Sequence, residues 1–526
     1  MKNGNTLTIS DKESNKRIEL DLAKTISDEI LKIINAEKER RRANSAKQNS
    51  YIEEGNEEDY GNHNFGLMFH HRCRILFPFK FYIAPRMFKD MYTTFSSYKF
   101  IFNDQEAMSS QMANELSFLS PNARIHSEIV DIFDNSEKDK DNILFGLFDF
   151  NFAMLDEKAR KAMDAMLWES APKKTSKQYL EIKNESARLY LFESGIGFFE
   201  WQIKFNWSIN VSNELIVKFC NGIRSKMDCE WLCKITEKIF ALCSQKSKQT
   251  NDEKYDFFDR KPFYYITIEL AKSKEFYFEH SIHRMVLSNR NPSFSGDDFL
   301  VYSNGGKGNK NPMKYIYAES NSLIRVGRYK WEINDQATWF CLIFVLHQKY
   351  ALSSLSNELM KIDGKHLFSP SRMLRRRLRQ EEINYANFRR RYVFENISNK
   401  TDVETIYDYL RERFEINKLL CEYVDSIMPL QNYSRTSRER YRNNILFAFS
   451  VTTAINIIVG YFKYIVNIES TTKQGLVFFS VFFALLLVFN AGIIILTAIS
   501  SAQSRKQLIN RTKSNCVKNV DKHRRL

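Results

Sequence analysis

Two apolar runs near the C-terminal end constrain this chain more than any other feature. Ile445–Val466 holds 22 residues and Leu476–Ile499 holds 24. A helix rises about 1.5 Å per residue, so each run covers the roughly 30 Å hydrocarbon core of a bilayer. Neither run contains an acid, and the single base is Lys463, near an end. The sequence therefore predicts transmembrane helices over 445–466 and 476–499, an external loop over 467–475, and a basic cytoplasmic tail over 500–526. Arg435, Arg438, Arg440 and Arg442 precede the first run, and Arg505, Lys506, Arg511 and Lys513 follow the second. The intervening loop carries one Lys and one Glu. Basic residues stay on the cytoplasmic side, so both termini are expected inside.

The remainder is a different material. Mean hydropathy over the chain is −0.43, so the membrane part is a minority of its 526 residues. With 43% hydrophobic residues and 42 Phe, there is ample apolar side-chain volume for a large water-soluble core. The formal net charge of +15 points to anionic partners: nucleotides, nucleic acid or acidic lipid. Eight cysteines are scattered without a CxxC pair, which reads as reduced thiols facing a cytosol. The N-terminal stretch has no apolar h-region, so no cleaved signal peptide is expected.

Periodicity divides the soluble part. Residues 1–60 are charged and read as a partly disordered lead-in, with helical character over 20–45. Residues 61–334 carry strand patterns, among them 142–155, 262–271 and 187–205, where Gly195 and Gly197 supply a turn. Helices are expected at 212–226 and 230–245. From 335 to 444 the pattern is helical: an amphipathic helix over 336–362, a second over 370–396, and a third from Asp402 that continues into the first span. That last helix would be about 95 Å long with its span, with a kink at Pro429. The fold class is α+β of α/β type: a cytoplasmic domain with a mixed sheet, long stalk helices and two C-terminal transmembrane helices.

Within the first run, polar residues are not scattered at random. Arg442, Leu446, Phe449, Thr453, Asn456, Gly460, Lys463 and Asn467 follow alternating steps of four and three, one seam along a helix. Most of the intramembrane polar groups fall on or beside that seam, while the other faces are Ile, Val and Ala. One hairpin cannot hide such a stripe from lipid, whereas several copies around an axis can line a channel with it. Packing between helices through small and polar residues is the other use of such a stripe. Leu446 and Phe449 are the candidate hydrophobic gate. Glu469 and Lys463 flank the outer mouth with opposite effects on cations, while snorkelling to the interface is the commoner role of a Lys near a helix end.

The order of parts, a cytoplasmic α/β domain, long helices and two terminal spans with both ends inside, resembles the CorA family of divalent-cation channels over roughly residues 185–500. The resemblance implies a homopentamer with the first span lining the pore and a Gly-Met-Asn signature at its outer end. Here "IIVGYFKYIVN" occupies that place, with Lys463, Tyr464 and Ile465 where the signature would stand. The signature is absent, and a fixed Lys at the mouth repels divalent ions. The large N-terminal region, the "LYLFESGIGFFEWQI" hairpin and the missing signature are similar to the CorA-like effectors associated with type III CRISPR systems. That likeness implies a multi-pass protein of the bacterial inner membrane, opened by a nucleotide second messenger, S-adenosyl methionine joined to AMP, in antiviral defence. Its partners would be the lipid bilayer, further copies of itself and the anionic nucleotide, with no direct contact to DNA or RNA. A divalent-metal (Mg, Co or Zn) transporter of the same fold stays open, as does a membrane-anchored cytoplasmic enzyme or receptor with a non-conducting hairpin.

Two segments invite an anionic ligand. "SNGGKGNKNPMK" (303–314) offers Lys307 and Lys310 in a glycine-rich loop, without the spacing of a P-loop, and a flexible hairpin loop is its plainer reading. Arg372, Arg375, Arg376 and Arg379 share a helical face by i, i+3 and i+4 spacing. A solvated face or pairing with Glu381 and Glu382 is the plainer reading of these arginines. His70-His71 and Glu279/His280/His283 match no zinc spacing. No nucleophile elbow or catalytic acid pair stands out, so the sequence points away from an enzyme.

Overall fold

The computed structural model describes residues 9–48, 65–66, 68–81, 85–98, 101–104, 125–133, 144–170, 180–207, 211–212, 223, 229–246, 255–258, 262–270, 300–302, 314–319, 321–328, 332–361 and 372–469. The chain divides into two compact units. One comprises Met1–Asn357 with Asn384–Tyr423, and the other Glu358–Ile383 with Val424–Leu526.

The first unit is mixed α+β. Its strands are β1 (Phe65–Gly66), β2 (Met68–Phe81), β3 (Phe102–Asp104), β4 (Phe145–Phe150), β5 (Leu180–Phe192), β6 (Ile196–Trp207), β7 (Val211–Ser212), β8 (Tyr255–Phe257), β9 (Phe263–Leu270), β10 (Leu300–Tyr302), β11 (Lys314–Glu319) and β12 (Ser322–Arg328). A 10-stranded sheet runs in the order β10-β11-β12-β9-β2-β6-β5-β4-β3, with β8 also on β2. All its pairs are antiparallel except β12 with β9, so the sheet is mixed as the sequence predicts.

Strand alternation gives the sheet two unlike faces. On the first lie Cys73, Ile75, Phe77, Phe79, Leu189, Leu191, Phe199, Trp201, Ile203, Ile266 and Ile268, all buried. Helices α1 (Ile9–Gln48), α2 (Pro85–Ser97), α4 (Glu157–Ser170) and α5 (Glu230–Lys246) contribute buried residues to the same core, α3 being the short Ser127–Phe133. Phe79 packs on Phe240 at 4.9 Å and Phe95 on Phe102 at 5.0 Å, the offset and edge geometries that aromatic rings favour. Within the expected lead-in, residues 9–48 form a 40-residue helix whose buried edge, Leu22, Ile26, Ile30 and Ile34, four residues apart, joins the core. Ser27 fixes it further, its hydroxyl accepting from the Asp156 amide at 3.0 Å.

The second face mixes charged residues with apolar and aromatic ones and is partly roofed by α6 (Glu332–Met360). An amphipathic helix was expected here, yet every residue from 337 to 348 is buried. One side of α6 meets the sheet, where Trp339 lies 5.2 Å from Tyr265 and His347 4.1 Å from Phe192. Its other side meets Tyr392, Val403 and Tyr407, which belong to α7 (Arg372–Tyr392) and α8 (Thr401–Arg413). A helix covered on both sides is largely apolar all round, and the buried Gln348 among its residues is hydrogen-bonded to Tyr392 and Tyr407. Of the segment 335–444, α8 and most of α6 lie within the first unit, and 358–383 and 424–444 within the second.

The expected long helix from Asp402 is broken. After α8, Glu415 takes a left-handed φ of 54°, and α9 runs from Ile416 to Glu469, 54 residues or about 81 Å. Pro429 lies inside α9 without ending it. The hairpin at 192–196 forms as read, with Gly195 at φ 85°. Gly197 serves another purpose than turn geometry: a Cβ there would sit 2.3 Å from the Phe79 ring on the neighbouring strand.

Candidate functional site

Within α9, Arg442–Gly460 is a stretch of 19 residues with mean hydropathy 1.5 and no buried residue, long and apolar enough to cross a membrane. The seam residues Leu446, Phe449, Thr453, Asn456 and Gly460 are all exposed, Phe449 at 67%. Val451, Ile455 and Val459 are instead partly covered. Successive residues turn by about 100°, which puts this second set on the side of the helix opposite the seam. A Cβ built on Gly460 would meet nothing within 4 Å. Lys463, Asn467 and Glu469 continue along the same helix. The second apolar run, 476–499, lies outside the described residues.

The polar groups of this stretch differ in one respect that the sequence does not reveal. Ser450, Thr452 and Thr453 each donate to the carbonyl four residues back, on Leu446, Ala448 and Phe449, at 2.8 Å. Their hydroxyl protons are satisfied inside the helix, as a hydrocarbon environment requires. The Asn456 amide has no partner among the described residues.

Of the expected ligand residues, Lys307 and Lys310 lie outside the described residues, as do Glu279, His280 and His283. Arg372, Arg375, Arg376 and Arg379 all fall on α7, with Arg376 and Arg379 exposed. Further along the same helix, Arg391 pairs with Glu193 at the hairpin. His71 is buried on the core face against Phe205 at 4.7 Å, and burial lowers its pKa to about 3. No group of three potential metal ligands occurs among the described residues.

The second sheet face carries a polar interior that sequence reading missed, because its members come from distant strands. Glu200 is fully buried. Tyr190 donates to it at 2.5 Å, Trp339 Nε1 donates to the Tyr190 hydroxyl at 3.3 Å, and Arg74 Nε stands 3.6 Å from the carboxylate. The Arg74 guanidinium also lies 4.4 Å from the centre of the Trp339 ring. Burial, and then the Glu200 charge, raise the Tyr190 pKa well above the usual phenol range, so its hydroxyl remains a donor. This cluster joins β2, β5 and β6 to α6.

Ser194 and His347 superficially suggest a nucleophile and its base, with Oγ and Nε2 2.6 Å apart. Nδ1 of His347, however, is buried without a hydrogen-bond partner. A bare acceptor is less costly there than a bare N–H, so the proton belongs on Nε2, donated to Ser194. In that tautomer the ring does not take a proton from the serine. Burial lowers the His347 pKa to about 3, which keeps the ring neutral in its aromatic cage.

One row on this face is basic. Register places Arg325 (β12) beside Thr267 (β9), Thr267 beside Arg72 (β2), Arg72 beside Lys204 (β6), and Lys204 beside Lys183 (β5). Five adjacent strands thus present four cations and a hydroxyl in line. The row is buried at Arg325 and Thr267, half-buried at Arg72 and Lys204, and exposed at Lys183. No family model matches the chain, and no curated protein matches it.

Proposed function

We propose that the chain is a homo-oligomeric, CorA-like membrane channel or effector of the inner membrane, lined by the seam of its first span. In this reading a nucleotide second messenger, S-adenosyl methionine joined to AMP, binds the cytoplasmic unit and opens it in antiviral defence. The observation that carries the reading is the exposed seam opposite a partly covered face, with the Asn456 amide near its middle. A buried amide without a partner costs several kcal/mol in hydrocarbon. Copies arranged around an axis bring Asn456 to other Asn456 side chains or to pore water, which removes that cost. A lone anchor has no use for the arrangement. The ligand opens the channel only to the extent that it binds the open state more tightly than the closed one.

Ion flux from proteoliposomes holding the full chain, with and without the S-adenosyl methionine–AMP conjugate, tests the proposal. Ligand-dependent flux that Asn456→Ala diminishes and Phe449→Ala makes leaky is expected. If wild-type liposomes stay sealed in both conditions, the hairpin is an anchor and the proposal fails.

A further inference from the structure

We propose that the basic row Arg72–Lys204–Lys183, with Arg325 and Thr267 at its buried end, is the binding site of a phosphate-bearing ligand of roughly dinucleotide length. The inference rests on the ligand-opened reading above and names the site for it. The argument starts from what the fold tolerates. Cross-strand neighbours have Cβ atoms about 5 Å apart, and like charges directly opposite each other destabilise a sheet. Arg72, Lys204 and Lys183 are three such neighbours in succession. Lys183 pairs with Glu181 at 2.8 Å and Arg72 with Glu185 at 3.3 Å, while Lys204 has no ion pair among the described residues. A sheet selected for stability alone has no reason to keep this arrangement, whereas a sheet that receives an anion does.

The way Arg72 is held strengthens the assignment. The register of β5 on β6 slips between Asn184 and Ser186, a bulge that leaves Glu185 out of the ladder. Bulges re-aim side chains at functional edges. Here the carboxylate turns to Arg72, steadied by Gln202 Nε2 donating to it at 2.8 Å. Glu185 thus occupies the position that a phosphate oxygen would take, and Arg72 would exchange one anion for the other. Strands lie about 4.8 Å apart, so the row from Lys183 to Arg325 spans about 19 Å. That length suits an extended ligand entering at the exposed Lys183 end and passing Lys204 and Arg72 toward the buried end.

The test is equilibrium binding to the full-length protein in nanodiscs, with three probes measured separately: the S-adenosyl methionine–AMP conjugate, ATP and inorganic pyrophosphate. Wild type is expected to bind at least one. The double variant Arg72→Gln/Lys204→Gln is expected to lose roughly tenfold or more of that affinity, the loss expected from removing charge-assisted hydrogen bonds. Glu185→Gln, which removes the competing carboxylate, is expected to bind the same probe more tightly. Lys204→Gln alone is expected to raise the melting temperature of the unliganded protein, because it relieves repulsion. If wild type binds and the double variant binds equally well, the row is not the site, although ligand-opened flux could still stand. If wild type binds none of the three, this site and the nucleotide-opened reading both fall. Should the double variant fail to fold, Glu185→Gln decides: unchanged or weaker affinity overturns the assignment.

Discussion

Tyr190 and Glu200, on adjacent strands and both buried, are joined by a 2.5 Å hydrogen bond from phenol to carboxylate. The bond is the inner end of a chain that passes through Trp339 to α6 and through Arg74 to β2. A hydrogen bond to a charged group contributes about 1.5–3 kcal/mol, and a buried charge stripped of its partner costs more. Tyr190→Phe is therefore expected to lower unfolding free energy by about 2 kcal/mol in urea titrations. A change below 0.5 kcal/mol would show that Glu200 is satisfied in some other way.

Acid should unfold the first unit through two histidines. His71 and His347 are buried, and their pKa values fall to about 3, below the ordinary value of 6.5. A group whose folded pKa is depressed contributes stability above its unfolded pKa and loses it as pH falls toward the folded value. Each histidine should thus add a slope of about 1.4 kcal/mol per pH unit between pH 6 and 3. His347→Phe is expected to reduce the slope of unfolding free energy against pH by one proton. An unchanged slope would mean that His347 is protonated in the folded protein.

Gly197 and Phe79 form a cross-strand pair in which the ring covers the glycine. Gly197→Ala forces the ring aside, an overpacking change worth about 1–3 kcal/mol. Phe79→Leu in the same chain should recover part of that cost, so a double-mutant cycle is expected to give a coupling of about 1 kcal/mol. Strict additivity would place the strain elsewhere.

The hydroxyls and the Asn456 amide of the apolar stretch of α9 should respond in opposite ways. Thr453 donates within its own helix, so Thr453→Val is expected to leave flux within about twofold and membrane insertion unchanged. Asn456→Leu removes an amide that has no partner among the described residues, and it is expected to insert normally while losing both oligomer stability and flux. Sedimentation in detergent and liposome flux read these two effects. Equal effects of the two substitutions would remove Asn456 from its special place.

Much of the fold was legible in local pattern. The alternation in 187–205 fixes β5 and β6, and the turn signal at Gly195 gives the hairpin. Other features depend on what each segment meets. Nothing in 336–362 announces that helices would cover α6 on the side away from the sheet, so its all-round burial could not be read from periodicity. The helix break falls at Glu415, which carries no glycine or proline signal, whereas Pro429 passes inside α9. The basic row was invisible because register alone brings residues 72, 183, 204, 267 and 325 into line. The seam of α9 was legible because it lies within one helix. The internal hydrogen bonds that set Asn456 apart from its neighbours needed coordinates.

The double coverage of α6 sets where a shortened, water-soluble version of this protein can end. Gln348 Nε2 donates to the Tyr392 carbonyl and the Tyr407 hydroxyl, and Cys341 Sγ contacts the Val403 carbonyl. Tyr385 in turn packs against Tyr423, with ring centres 4.6 Å apart. A chain cut at the end of α6, near residue 360, would leave one side of a largely apolar helix bare and should collect in inclusion bodies. A chain ending between Tyr423 and Arg442 keeps the cover while omitting the apolar stretch, and it is the version expected to purify without detergent.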